Sequence, residues 1–172
     1  ENCIVYSNTC VTIANNTQTK QPADIDLRIY QSVLQGTEAI STPNLTGDLR
    51  IESILTTYKC DSLAMSLVAS EKDKKGRSWT GNSNCFNVTN WIGAGGKKIT
   101  SITDPKSFAK FWGDTDKDSN KLNSTFAVVR KNGAFSHGLN PQDWDLSEKS
   151  ELALFLKRPG IRPTTVGSGE GF

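Results

Sequence analysis

The chain has one histidine in 172 residues. Hydrolytic sites built on two histidines are therefore excluded, and His137 would need a nucleophile beside it. Ser136 is adjacent, but neighbouring residues on a strand point to opposite faces, and no G-x-S-x-G elbow occurs. Long apolar runs are also missing. No uncharged apolar window approaches the roughly 20 residues that a membrane-spanning helix requires. Nor does one sign of charge dominate: 20 Lys+Arg stand against 18 Asp+Glu, a net charge of +2. That balance lacks the strong basic face of a nucleic-acid binder. Hydrophobic residues make up 35%, below the globular average, whereas Ser and Thr number 17 each. Many short strands and polar turns fit this composition better than long amphipathic helices do.

Cysteine is scarce but even in number: Cys3, Cys10, Cys60 and Cys85. Wide spacing and no nearby histidine argue against zinc, and two disulfides in an oxidising compartment fit better. The expected bridges are Cys3–Cys10 and Cys60–Cys85, each closing a local loop. The rival pairing is Cys3–Cys60 with Cys10–Cys85. A start at Glu1, without an initiator Met, fits removal of an export signal, and a fragment boundary would look the same. Sequons at Asn15, Asn44, Asn87 and Asn123 are close to the number that chance supplies in so Asn-, Ser- and Thr-rich a chain.

Period-2 alternation predicts strands over residues 3–14 (broken near Ser7–Asn8), 25–30, 49–58, 63–69 and 86–92. Loops are expected at 15–23 and 36–47, and a charged hairpin loop at 71–77. No internal repeat is evident. One helix signal stands out: Asp104 as cap and Pro105 at the first helical position. Phe108, Phe111 and Trp112 follow on one face.

Asp114, Asp116 and Asp118 place oxygens at alternate residues, as calcium loops do. The calcium-loop pattern fails further on, at Ser119 and Thr125, and Lys117 weakens it. A solvated turn is the simpler reading, and no metal is expected. Gly93–Lys98 lacks phosphate-loop spacing and reads as a flexible turn. Four tryptophans lie in or beside polar segments. Trp79 with Asn82, and Trp144 with Asp143 and Asp145, set a flat ring beside amides and carboxylates. That is the chemistry of sugar binding; the alternative is that each indole covers a sheet edge.

The most informative stretch is Phe126–Pro159, FAVVRKNGAFSHGLNPQDWDLSEKSELALFLKRP. Two alternating apolar runs, from Phe126 to Lys131 and from Leu152 to Lys157, flank a connection of about twenty residues, a length that is usually functional or disordered. Within it lie His137, Asn140, Asp143, Trp144 and Asp145. Residues 161–172, with two prolines and four glycines counted from Pro159, read as a linker. FAVVRKN, the polar Asn140–Asp145 loop, ELALFLKRP and the terminal linker resemble the receptor-binding domain of bacterial chaperone–usher pilus tip adhesins. The resemblance implies an all-β, elongated β-sandwich of jelly-roll or immunoglobulin-like type with one short helix, spanning residues 1–160. It further implies a linker at 161–172 to an absent pilin domain, attachment to pilus subunits, no cofactor, and a location at the pilus tip on the bacterial surface. The expected function is adhesion to a host glycan or glycoprotein receptor without catalysis. The expected contacts are Asn140, Asp143, Trp144, Asp145, His137, Trp79 and Asn82. A glycan-directed acid hydrolase and a protein-binding toxin or effector are the alternatives.

Overall fold

Alternation does build strands here, but the strands stack in parallel, coil upon coil. The structure is a computed structural model, and it describes residues 4–15, 24–121, 128–130 and 144–146. Its strands are β1 (Ile4–Tyr6), β2 (Thr9–Thr12), β3 (Ile25–Tyr30), β4 (Val33–Ser41), β5 (Leu49–Ile54), β6 (Thr57–Val68), β7 (Arg77–Asn82), β8 (Cys85–Ala94) and β9 (Lys97–Lys98). After helix α1 (Pro105–Phe111) come β10 (Asp116–Lys117), β11 (Asn120–Lys121), β12 (Val128–Arg130) and β13 (Trp144–Leu146). A long sheet runs β1-β4-β6-β8-β11, with β2 also on β4 and β9 on β8; a short sheet runs β10-β7-β5-β3. Except for the β8–β9 hairpin, every pairing within these two sheets is parallel.

The chain thus winds as a solenoid. One strand of the short sheet turns a tight corner into one strand of the long sheet, and each pairs with its counterpart a coil later. The fold is mostly β with one short helix, as expected. The jelly-roll or immunoglobulin-like sandwich is not what is seen. Those folds pair antiparallel neighbours, whereas the two main sheets here are parallel apart from the β8–β9 hairpin.

A repeat is present after all. The corner residues Gln31, Leu55, Ser83 and Asp118 all have φ between 48° and 57°, and they recur at intervals of 24, 28 and 35 residues (31, 55, 83, 118). Each corner is followed by a small polar residue: Ser32, Thr56, Asn84 and Ser119. Backbone bonds carry the ladder through the bend: Gln31 N–H to Ile54 O at 2.9 Å, Leu55 N–H to Asn82 O at 3.0 Å and Ser83 N–H to Lys117 O at 2.8 Å. Such bonds leave no orphaned groups where the chain turns inside the stack. The unequal intervals and dissimilar corner side chains hide the period from inspection of the sequence.

Two of the longer strands, β4 and β7, were missed for physical reasons. In β4 the alternation fails around Gly36, where an added Cβ would lie 1.7 Å from the Ser7 carbonyl oxygen; the backbone of the first coil fills that space. The segment Arg77–Asn82 is a strand although it is short and polar, because it needs only Trp79 and Gly81 on the inner side. The predicted 49–58 strand is cut at the Leu55–Thr56 corner. Gly93–Lys98 is a hairpin in which Gly95 and Gly96, at φ 56° and 82°, form the two-residue turn.

Inner rows stack in register. Leu27, Ile51 and Trp79 form one row, and Leu34, Tyr58 and Phe86 another. The Tyr58 and Phe86 rings stack at 5.1 Å, and Trp79, Trp91 and Phe86 close around Phe108 at 5.1–5.6 Å. Helix α1 begins as expected. Ser107 N–H donates to Asp104 Oδ1 at 2.8 Å, and Asp104 N–H donates to Ser107 Oγ at 3.1 Å, a reciprocal cap. Its Phe108 seals the core, together with Trp112 at the C-cap.

Candidate functional site

In a parallel stack, every outward position repeats at the strand spacing of about 4.8 Å. On the long sheet this aligns Gln35 of β4, Lys59 of β6 and Asn87 of β8 in one register row. Asp61 and Thr89 project from the same face two residues on. With Ser7, Asn8, Gly36, Thr37 and Cys60 they line a cleft of about 360 Å³. Each member of the first row follows a corner residue by four positions (31 to 35, 55 to 59, 83 to 87). That regular offset was the available signal, and it becomes visible only once the corners are aligned.

The cleft holds one cation and one carboxylate among amides and hydroxyls. Among the described residues, no ion pair or hydrogen bond engages the side chains of Lys59, Asp61, Asn87 or Thr89. Gln35 Oε1 is buried and lacks a hydrogen-bond partner. A buried acceptor left unmet costs about 1–3 kcal/mol, so the wall of the cleft contains a group that a donor would satisfy.

Behind the cleft, a buried polar network sets the two sheets against each other. Asn84 Oδ1 accepts from Ser53 Oγ at 2.9 Å and from Thr56 N–H at 3.0 Å, while Asn84 Nδ2 donates to Ser53 O at 2.8 Å. Ser53 Oγ also meets Tyr58 Oη at 2.7 Å, and burial pushes the Tyr58 phenol far above its ordinary range. At the next coil, Trp79 Nε1–H donates to Asp116 Oδ2 at 2.7 Å. A Cβ on the register partner Gly81 would come within 2.0 Å of that oxygen, so glycine makes the space for the carboxylate. Burial raises the Asp116 pKa above the usual carboxylate range.

Of the sequence-predicted contact residues, the structure describes the side chains of Trp79 and Asn82, and neither lies in this cleft. Trp79 is 1% exposed and belongs to the interior row, because alternation on β7 turns Ser78 and Thr80 outward instead; it cannot stack on a ligand. Asn82 is exposed at the end of β7, on the short sheet. Trp144 and Asp145 stand in β13, paired antiparallel with Arg130 and Val129 of β12, rather than in an open loop, and the 152–157 segment lies outside the described residues. His137, Asn140 and Asp143 lie outside the described residues, as do the linker at 161–172 and the domain boundary at 160. The calcium alternative fails: Asp116 is buried and bonded to Trp79, while Asp114 and Asp118 are exposed. No group of three metal-ligating side chains occurs among the described residues.

Neither expected disulfide is present, since Cys10, Cys60 and Cys85 are all thiols. Cys60 pairs with Val88 and Cys85 with Thr57, an offset of three residues or about 10 Å along the strands. A disulfide tolerates Cα atoms no more than about 7 Å apart. Cys3 lies outside the described residues. Comparison with known proteins brings no relative to bear on this site: no protein-family model, no curated protein and no solved structure matches the chain.

Proposed function

We propose that the chain is a non-catalytic adhesion module that binds a hydroxyl-rich ligand, a host glycan or glycoprotein, along the Gln35–Lys59–Asn87 row. The observation that carries this reading is the unmet Gln35 Oε1 in a cleft where, among the described residues, the side chains of Lys59, Asp61, Asn87 and Thr89 have no hydrogen-bond or ion-pair partner. Amides both donate and accept, Lys59 donates and Asp61 accepts, which matches sugar hydroxyls that do both. A surface placement at the bacterial pilus tip, with attachment to pilus subunits through a further domain, belongs to the same proposal. It rests on the resemblance in residues 126–159 alone. The largely parallel sheets give that resemblance no support, so the adhesion reading stands on the cleft.

A glycan array probed with the whole chain and with a Lys59→Ala/Asn87→Ala double variant tests it. Selective binding by the parent, lost in the double variant, is the expected result. Binding that survives the double variant but fails in Asp143→Asn would move the site to the C-terminal segment and overturn the cleft assignment. Cleavage of a bound glycan would replace adhesion with the hydrolase alternative.

A further inference from the structure

The cleft has a direction. Its lining crosses the long sheet from the Ser7–Asn8 kink of the first coil, over β4 and β6, to β8. Three strand spacings make that about 14 Å, whereas Gln35 to Thr37, Lys59 to Asp61 and Asn87 to Thr89 each span only about 7 Å along a strand. The long axis therefore lies across the strands, along the stack. Two rails follow it. Gln35, Lys59 and Asn87 form a half-buried rail, and Thr37, Asp61 and Thr89 form an exposed one. Between them runs the register row of Gly36, Cys60 and Val88. Cys60 and Val88 are buried and Gly36 has no side chain, so the floor between the rails is largely backbone. At the first coil the kink is fixed, because the Thr37 and Glu38 N–H groups donate to Asn8 O at 3.0 and 2.8 Å. Each of the three strands thus offers one polar side chain on either rail, repeated at the strand spacing.

We propose that the cleft takes an unbranched, uncharged oligosaccharide of β-1,4-linked gluco-configured units, laid across the strands with one sugar unit on each of β4, β6 and β8. The inference rests on the adhesion reading and adds the ligand's shape, charge and length. A ligand that meets the same pair of groups on successive strands must advance in a straight line, by a step close to the strand spacing of about 4.8 Å. Equatorial β-1,4 linkages give a flat, extended chain with such a step, whereas α-1,4 linkages curl the chain away from a straight row. A branch would run into the opposite rail. Charge is excluded by the middle strand, where Lys59 and Asp61 stand on one face two residues apart. An acidic unit that reached Lys59 would also face Asp61, and a basic unit would face the reverse, so neither gains as hydroxyls do from both. No aromatic ring lines the cleft. Each unit therefore contributes through hydrogen bonds alone, and affinity grows with the number of strands that the chain covers.

A length series decides it. The whole chain is titrated calorimetrically with cello-oligosaccharides from glucose to cellohexaose, and with maltotriose. Affinity should rise about tenfold from two units to three, as two further hydrogen bonds imply, and change by less than about twofold beyond four units. In Asn87→Ala the row is one strand shorter. The step from two units to three should vanish there, while the disaccharide binds within about twofold of its affinity for the parent; if that variant does not fold, the parent's series decides alone. Equal affinity at every length, a rise that continues to six units, tighter binding of maltotriose than of cellotriose, or no binding of any cello-oligosaccharide would each overturn the proposal. Selective binding of a branched or charged glycan, lost in Lys59→Ala/Asn87→Ala, would overturn it and leave the adhesion reading standing. A glycan array without any selective binding would remove both.

Discussion

The two outer faces of the solenoid are built by one rule and end in opposite states. Each presents register rows one strand apart. On the short sheet the rows pair charges of opposite sign: Arg50 Nη1 to Asp26 Oδ1 at 3.1 Å and Arg28 Nε to Glu52 Oε2 at 3.7 Å, with Tyr30 Oη also donating to Glu52. That face satisfies itself. On the long sheet, Gln35, Lys59 and Asn87 make no side-chain hydrogen bonds along their row among the described residues, and Gln35 Oε1 stays unmet. Identical geometry therefore gives an inert wall on one side and a set of open donors and acceptors on the other. Side-chain identity at the outward positions decides which face can bind; the backbone does not.

Removing the network that both faces share should have the largest effect. Asn84→Ala leaves Ser53 Oγ and the Thr56 N–H without their buried acceptor and Ser53 O without its donor, at about 1–3 kcal/mol for each unsatisfied group. A loss of about 3 kcal/mol in urea unfolding is expected; a change below ~1 kcal/mol would mean that the corners do not depend on this side chain. Next comes the cleft itself. The Lys59→Ala/Asn87→Ala variant should lose at least tenfold in affinity, about 1.4 kcal/mol, with a melting temperature within about 2 °C of the parent, since neither side chain bonds to any of the described residues. The mirror experiment on the self-paired face is Arg50→Ala. Its side chain is 57% exposed, and exposed pairs contribute little, so melting should shift by no more than about 1–2 °C and glycan binding should stay the same. A binding loss there equal to that of the cleft variant would erase the distinction between the faces.

The smallest effect is one of slope. Asp116 has a raised pKa in the folded state, so folding favours its protonated form. Its contribution to stability is complete below the ordinary aspartate value near 4 and is lost as pH rises through the raised folded value. The stability difference between the parent and Asp116→Asn should therefore change across that window and level off below about pH 4. A difference that is flat across the window would show the carboxylate to be unperturbed.

Much of the local structure was legible because it depends on neighbours in sequence. Ile25–Tyr30 alternates and forms β3 with those bounds, and Asp104, Pro105 and Phe108 specify a cap, a first turn and a buried face within five residues. The cleft was not legible. Gln35, Lys59 and Asn87 are 24 and 28 residues apart and share no motif, and Lys59 alone reads as a solvated charge. Trp79 misled for a related reason. Polar neighbours suggested a binding ring, yet a strand with one buried side needs only alternate residues to be apolar, and its polar neighbours point outward.

The amino-acid sequence by itself determined the secondary-structure type: short strands from period-2 alternation, one capped helix, and a surface poor in net charge. Tertiary structure alone decided that the strands pair in parallel between coils and which polar side chains share a row. Local propensity acts over a few residues, whereas parallel pairing is set by where the chain returns after 24, 28 or 35 residues. That return is governed by four corners whose common property is a positive φ followed by a small polar residue, not a common side chain.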